Sequence, residues 1–204
     1  MEQYANNGLD LLPIDQIPRD IADMGYNCVR LVYSEEQFHK DPLPRVLDEK
    51  LEANPALKGK TSKEIFHLTV DAITDAGLMV IFNSHNSDAM WCCSLHDNNG
   101  FWWNDDYDAD TWLETLTDLA WHYKDEPLVV GNDLRNELRW DLESHAVPPL
   151  WGWGTESLDW RKAAIKAARA IHAIDPTILV IIEGLNFATD FTSLASPIKR
   201  NPIR

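Results

Sequence analysis

Residues 128–137 read LVVGNDLRNE. A short, Val-rich apolar run passes directly into a polar end that carries Asn136 and Glu137. Three other stretches repeat the pattern: NCVRLVY at 27–33, LMVIF at 78–82 followed by NSH, and ILVIIE at 178–183. Continuous apolar runs of this length belong to strands of a parallel sheet covered on both faces. Their polar ends set out Arg30, then Asn83 and His85, then Asn136 and Glu137, then Glu183.

Helical periodicity fills the intervals. The first helix is expected over about 14–24, with Ile14, Ile17, Ile21 and Met24 on one face and Gly25 closing it. The second opens on the capping box Thr61-Ser62-Lys63-Glu64 and turns Ile65, Leu68, Ala72 and Ile73 inward before Gly77. The third starts near Asp110 and carries Leu113, Leu116, Ala120 and Tyr123. The fourth begins near Ser157 and stops before Asp175-Pro176. This alternation implies right-handed crossovers and a parallel sheet. Each unit takes about 50 residues, a pace at which a closed eightfold barrel needs nearly twice this length. The expected fold is α/β: an incomplete (β/α)8 TIM barrel, with residues 1–204 as one partial domain. Residues 1–12 hold no strand-like run, and the tail SPIKRNPIR reads as polar loop.

Charge narrows the function classes. The chain carries 18 Lys+Arg against 33 Asp+Glu, a formal net charge of −15. That balance argues against nucleic acid and anionic membrane surfaces, which attract Lys and Arg. No apolar run reaches the roughly 18–20 residues of a membrane span. The start, MEQYANNGLD, has neither a charged nor an apolar leader region, so no signal peptide is expected. The three cysteines, Cys28, Cys92 and Cys93, are too few for a disulfide scaffold and badly spaced for zinc. One of the adjacent pair could bond to a partner in a neighbouring loop, leaving at least one thiol over. The acidic run Asp105, Asp106, Asp108, Asp110 and the pair His96-Asp97 lack the pattern of an EF-hand loop. They read as a solvated loop with Asp110 as helix N-cap. No metal and no cofactor is expected.

Tryptophan is the compositional outlier, with nine residues. Six lie in two loop stretches: Trp91, Trp102 and Trp103, then Trp140, Trp151 and Trp153. Indoles in loops make flat apolar platforms with an N–H handle. They fall beside the strand ends, where a β/α barrel holds its active face. Trp112, Trp121 and Trp160 sit at helical positions and are expected to pack.

The segment GNDLRNELR resembles the Asn-Glu signature of glycoside hydrolase family 5, the cellulase family. NCVRLVYS is similar to that family's second strand, GLMVIFNSHN to its third, and WGWGTESLDWRKAA followed by DPTILVIIEG to the region up to its fifth. The likeness extends from about residue 8 to 190 and places the four strands as the second to fifth of the barrel.

The resemblance implies a retaining endo-hydrolase of a β-linked polysaccharide, with a β-1,4-glucan as expected partner. In such enzymes one carboxyl protonates the leaving oxygen and a second attacks the sugar, the two standing roughly 5 Å apart. Glu137 matches the acid/base, whose pKa burial or a like charge must raise. Asn136 matches the residue that hydrogen-bonds the sugar 2-hydroxyl, Arg30 the cation that orients the nucleophile, and His85 a subsite histidine. Trp91, Trp102, Trp103, Trp140 and Trp151 are the expected stacking residues. The family is typically secreted, which implies an extracellular setting.

Two departures stand out. Leu138 occupies the place of the family's usual proline after Glu137. The first, sixth, seventh and eighth strands are not found, so the nucleophilic glutamate is expected to be absent. Glu183 lies on the strand next to Glu137, a place that suits hydrogen bonding better than attack. The alternative reading is a non-catalytic carbohydrate-binding or inactive fragment.

Overall fold

The computed structural model describes residues 4–40, 48–142 and 145–192. The tail expected as polar loop lies outside them. Four parallel strands form one sheet in sequential order: β1 (Cys28–Ser34), β2 (Met79–Asn86), β3 (Val129–Asp133) and β4 (Leu179–Ile181). The register sets Asn83 beside Asp133, and Asp133 beside Ile181. This is the arc of four neighbouring strands expected of an incomplete barrel. Strand β4 is shorter than the run that encodes it, because the polypeptide turns away after Ile181.

Four helices follow the sequence signals closely, and a short one at Glu35–His39 has no counterpart among the expected helices. Helix α1 spans Gln16–Asp23, α2 Glu35–His39, α3 Ser62–Asp75, α4 Ala109–Tyr123 and α5 Trp160–Ile174. The capping box forms: Thr61 Oγ1 accepts from the Glu64 amide, and the Glu64 carboxylate accepts from the Thr61 amide at 2.8 Å. Helix α4 differs in its cap, which is Asp108 and not Asp110. Asp108 Oδ1 accepts from the Asp110 and Thr111 amides, relieving free donors of the first turn. Helix α5 starts three residues later than expected because Asp159 caps it; the same carboxylate also accepts from the Gly152 amide at 2.8 Å. Gly25 and Gly77 adopt positive φ of 92° and 78°, conformations that cost glycine little and that feed the chain from helix into strand.

Alternation along β1 divides its two faces. Leu31 and Tyr33 join the core under the helices with Phe66, Val70 and Phe82. Arg30 points to the opposite face, which is the inside of the barrel arc. The core under α4 and α5 centres on three buried indoles, Trp102, Trp112 and Trp160, with ring centroids 5.4–6.5 Å apart. Two of them reach the sheet ends. Trp112 Nε1 donates to the Leu134 carbonyl at 2.9 Å, and Trp160 Nε1 donates to the Glu183 carbonyl at 3.1 Å. The core thus fixes the backbone just past β3 and β4, where the polar ends lie. Trp121, expected to pack, is instead 62% exposed and carries the Lys124 ammonium over its ring. It occupies the outward face of α4, which no described element covers.

Candidate active site

Arg30 is the third of seven residues in β1, so it does not stand at the strand end as expected. Its long side chain reaches the polar ends instead. Nε donates to Asp133 Oδ2 at 2.8 Å, and Nη2 donates to Asn136 Oδ1 at 3.0 Å and to Glu183 Oε1 at 2.6 Å. One guanidinium on β1 therefore binds three side chains that lie 103, 106 and 153 residues further along the chain. Burial raises the pKa of both Asp133 and Glu183, and the positive charge of Arg30 opposes that rise.

Asn136 and Glu137 lie just beyond β3. The Asn136 amide donates to the Ser84 carbonyl at 2.9 Å, which extends the β2–β3 pairing past the last strand residue. The Asn136 side chain has two engaged ends: Oδ1 takes Arg30, and Nδ2 stands 3.6 Å from the sulfurs of both Cys92 and Cys93. Glu137 sits in the left-handed region at φ 45°, rare for a residue with a side chain. Two contacts hold it there. Its amide donates to Glu183 Oε2 at 2.7 Å, and its carbonyl accepts from Arg139 Nη1 at 3.1 Å. Arg139 is itself buried and pinned by Asp97 through two bonds of 2.6 and 2.8 Å. Strain of this kind persists only where the surroundings impose it. Glu137 as a residue is half-buried.

His85, near the end of β2, is half-buried beside this group. Its Nδ1 pairs with Asn83 Oδ1 at 2.7 Å. Burial, reinforced by the charges of Arg30, Arg135 and Arg139, pushes its pKa down to about 3, so the ring is neutral in neutral solution. The expected cysteine partner in a neighbouring loop is replaced by a closer one: Cys92 and Cys93 are bonded to each other, and Cys28 is the free thiol.

The tryptophans separate into two groups. Trp102, expected to stack on substrate, is instead 1% exposed and belongs to the core, because α4 and α5 close over it. Trp103 and Trp151 are half-buried against that core, Trp103 with its indole N–H on the Ser157 carbonyl at 2.9 Å. Trp91, Trp140 and Trp153 are exposed, Trp91 at 72%. Asp97, read as part of an acidic cluster, is the ion-pair partner of Arg139.

The sequence reading missed Asp133 and the hold of Glu183 on Glu137. Asp133 had a signal: it is the acidic residue of the apolar strand β3, and a carboxylate buried there calls for a cation such as Arg30, whose side chain is itself 40% exposed. Chemically, the assembly is a strand-end carboxyl with a fixed backbone, an adjacent amide, a neutral imidazole and a cation, all on one face.

The model of the cellulase family, glycosyl hydrolase family 5, matches residues 4–203. The chain belongs to glycosyl hydrolase family 5. Within this cellulase family, it is 32% identical over 208 residues to a glycosyl hydrolase 5 family protein of Chamaecyparis obtusa, covering 95% of this chain and 35% of that one. It is 30% identical over 162 residues to the major extracellular endoglucanase of Xanthomonas campestris pv. campestris, covering 79% of this chain and 30% of that one. The solved catalytic domain of the major endoglucanase from the same organism superposes with a TM-score of 0.73 at 27% identity, covering 89% of this chain and 49% of that one. This family 5 chain thus spans about a third of the length of these curated relatives and about half of the solved domain.

Proposed function

We propose that the chain contributes the acid/base side of a retaining endo-β-glucanase site, within a glycosyl hydrolase family 5 catalytic domain. Glu137 is the general acid/base. It protonates the glycosidic oxygen as the bond breaks and takes a proton from water in the second step. Asn136 donates to the sugar 2-hydroxyl, and His85, neutral, lines the same subsite. Arg30 holds Asn136 in place and lends positive charge to the carboxylates beside it. Trp91 and Trp140 offer exposed indole faces to the glucan. Glu183 positions and does not attack, since one of its oxygens is engaged by Arg30 and the other by the Glu137 amide.

The observation that carries this reading is the rigid presentation of Glu137, fixed through its own backbone at the end of β3 beside Asn136. Preorganisation of that kind suits a residue whose carboxyl must meet a reacting oxygen without rearrangement. The substrate is a β-linked glucan, in keeping with the endoglucanases to which the chain is similar. The setting is extracellular, as the name of one relative describes it; no described helix is long and apolar enough to cross a membrane.

The test is hydrolysis of a soluble β-1,4-glucan by the chain joined to the remaining strands of a family 5 barrel, which supply the second carboxyl, and by the Glu137→Gln variant of that protein. Turnover that the substitution abolishes supports the reading. Turnover that survives it removes Glu137 from the chemistry. Binding of cello-oligosaccharide with no turnover by the unaltered protein favours a non-catalytic carbohydrate-binding role.

A further inference from the structure

Sequence spacing alone argues against a metal site, but the fold changes the geometry. A ring nitrogen of His85 and the sulfurs of Cys92 and Cys93 all lie within 4.8 Å of one another, and all three residues are half-buried and reachable from solvent. We propose that reduction of the Cys92–Cys93 bond opens a binding site for one thiophilic divalent cation, such as Zn2+ or Cd2+, formed by His85, Cys92 and Cys93. The donor set is right for such an ion. Zinc takes thiolate sulfur at about 2.3 Å and imidazole nitrogen at about 2.0–2.1 Å, and three protein ligands leave a fourth position for water.

One further feature favours the site. Asn83 Oδ1 occupies His85 Nδ1, which leaves the lone pair on Nε2; metal-binding histidines usually have their other nitrogen fixed this way. The chemistry balances. A dithiol reductant supplies two electrons and two protons and leaves as its own disulfide, and the Cys92–Cys93 bond becomes two thiols. The cation then displaces two protons as both become thiolates. A metal held there stands beside Asn136, where the sugar is expected to sit. That consequence alone rests on the hydrolase reading; the site itself does not.

The experiment titrates the 204-residue chain with Cd2+ under anaerobic conditions, after reduction and removal of the dithiol. The readout is the ultraviolet thiolate-to-cadmium charge-transfer band. The expected result is saturation at one ion per chain, no band in the oxidised chain, and no change on Cys28→Ser. Cys92→Ser and Cys93→Ser each remove the stoichiometric band, and His85→Ala weakens binding by about tenfold or more. The proposal is overturned if the reduced chain shows no saturable band, if the band survives either serine variant, or if His85→Ala leaves affinity unchanged. Circular dichroism of each variant confirms that it is folded. Failure here leaves the glucan-hydrolysis test untouched, because no turnover is measured.

Discussion

The Glu183 carboxylate holds Glu137 by the backbone, with Oε2 accepting the Glu137 amide at 2.7 Å while Oε1 takes Arg30 at 2.6 Å. The two residues are 46 apart in sequence and belong to adjacent β/α units. The bond supports a positive φ at Glu137 that an isolated chain would not favour. Removing this acceptor leaves a part-buried amide without its partner and takes one of three acceptors from the Arg30 guanidinium. Glu183→Ala is therefore expected to destabilise the chain by roughly 1.5–3 kcal/mol. Glu183→Gln retains a carbonyl acceptor for the amide and is expected to lose less. Urea unfolding with an unchanged m-value checks the ranking. Equal losses would show that the amide bond contributes little.

Glu35 makes stability depend on pH. It is fully buried under the sheet, accepts from Ser84 Oγ at 2.9 Å, and burial raises its pKa from 4.5 to about 7. Between those two pH values the folded chain binds more protons at this site than the unfolded chain, so stability falls as pH rises. Below pH 4.5 the site contributes no difference; above about pH 7 the full penalty applies. The shift corresponds to on the order of 3 kcal/mol. Glu35→Gln is expected to remove this slope. Urea midpoints of both proteins at pH 5 and pH 8 measure it, and parallel profiles would refute the assignment.

Arg139 and Asp97 form a fully buried pair that anchors the loop after β2 to the Glu137 carbonyl. Breaking one side strands a buried charge. Asp97→Ala is expected to cost roughly 3–5 kcal/mol. Thermal unfolding reads the loss directly.

Gly100 packs against that pair. A Cβ there would stand 2.5 Å from the Arg139 carbonyl oxygen, a backbone atom that cannot rotate aside. Gly100→Ala is expected to destabilise by about 1–3 kcal/mol. A midpoint equal to that of the unaltered protein would show that the loop yields.

Trp102 and Trp91 separate packing from recognition. Trp102→Ala empties a site in the centre of the indole cluster and is expected to cost about 3–5 kcal/mol. Trp91→Ala, on an exposed loop, is expected to leave unfolding within about 0.5 kcal/mol of the original while weakening cello-oligosaccharide binding. Calorimetry and thermal unfolding together read the contrast.

The sequence alone was enough to establish the four strand runs, the four longer helices, though not the short one at Glu35–His39, and the strand-end identities of His85, Asn136 and Glu137. These are local matters. Apolar runs, the Thr61/Glu64 capping box and the Asp175-Pro176 stop act over a few residues, so neighbours in the chain contain the signal. Only the tertiary structure decided which tryptophans face solvent, that Arg30 reaches Asp133, Asn136 and Glu183 from mid-strand, and that His85 meets the paired cysteines. Burial and side-chain pairing depend on which distant elements close over a residue. Trp91 and Trp102 look alike in sequence, and only the packing of α4 against α5 makes one a surface and the other a core.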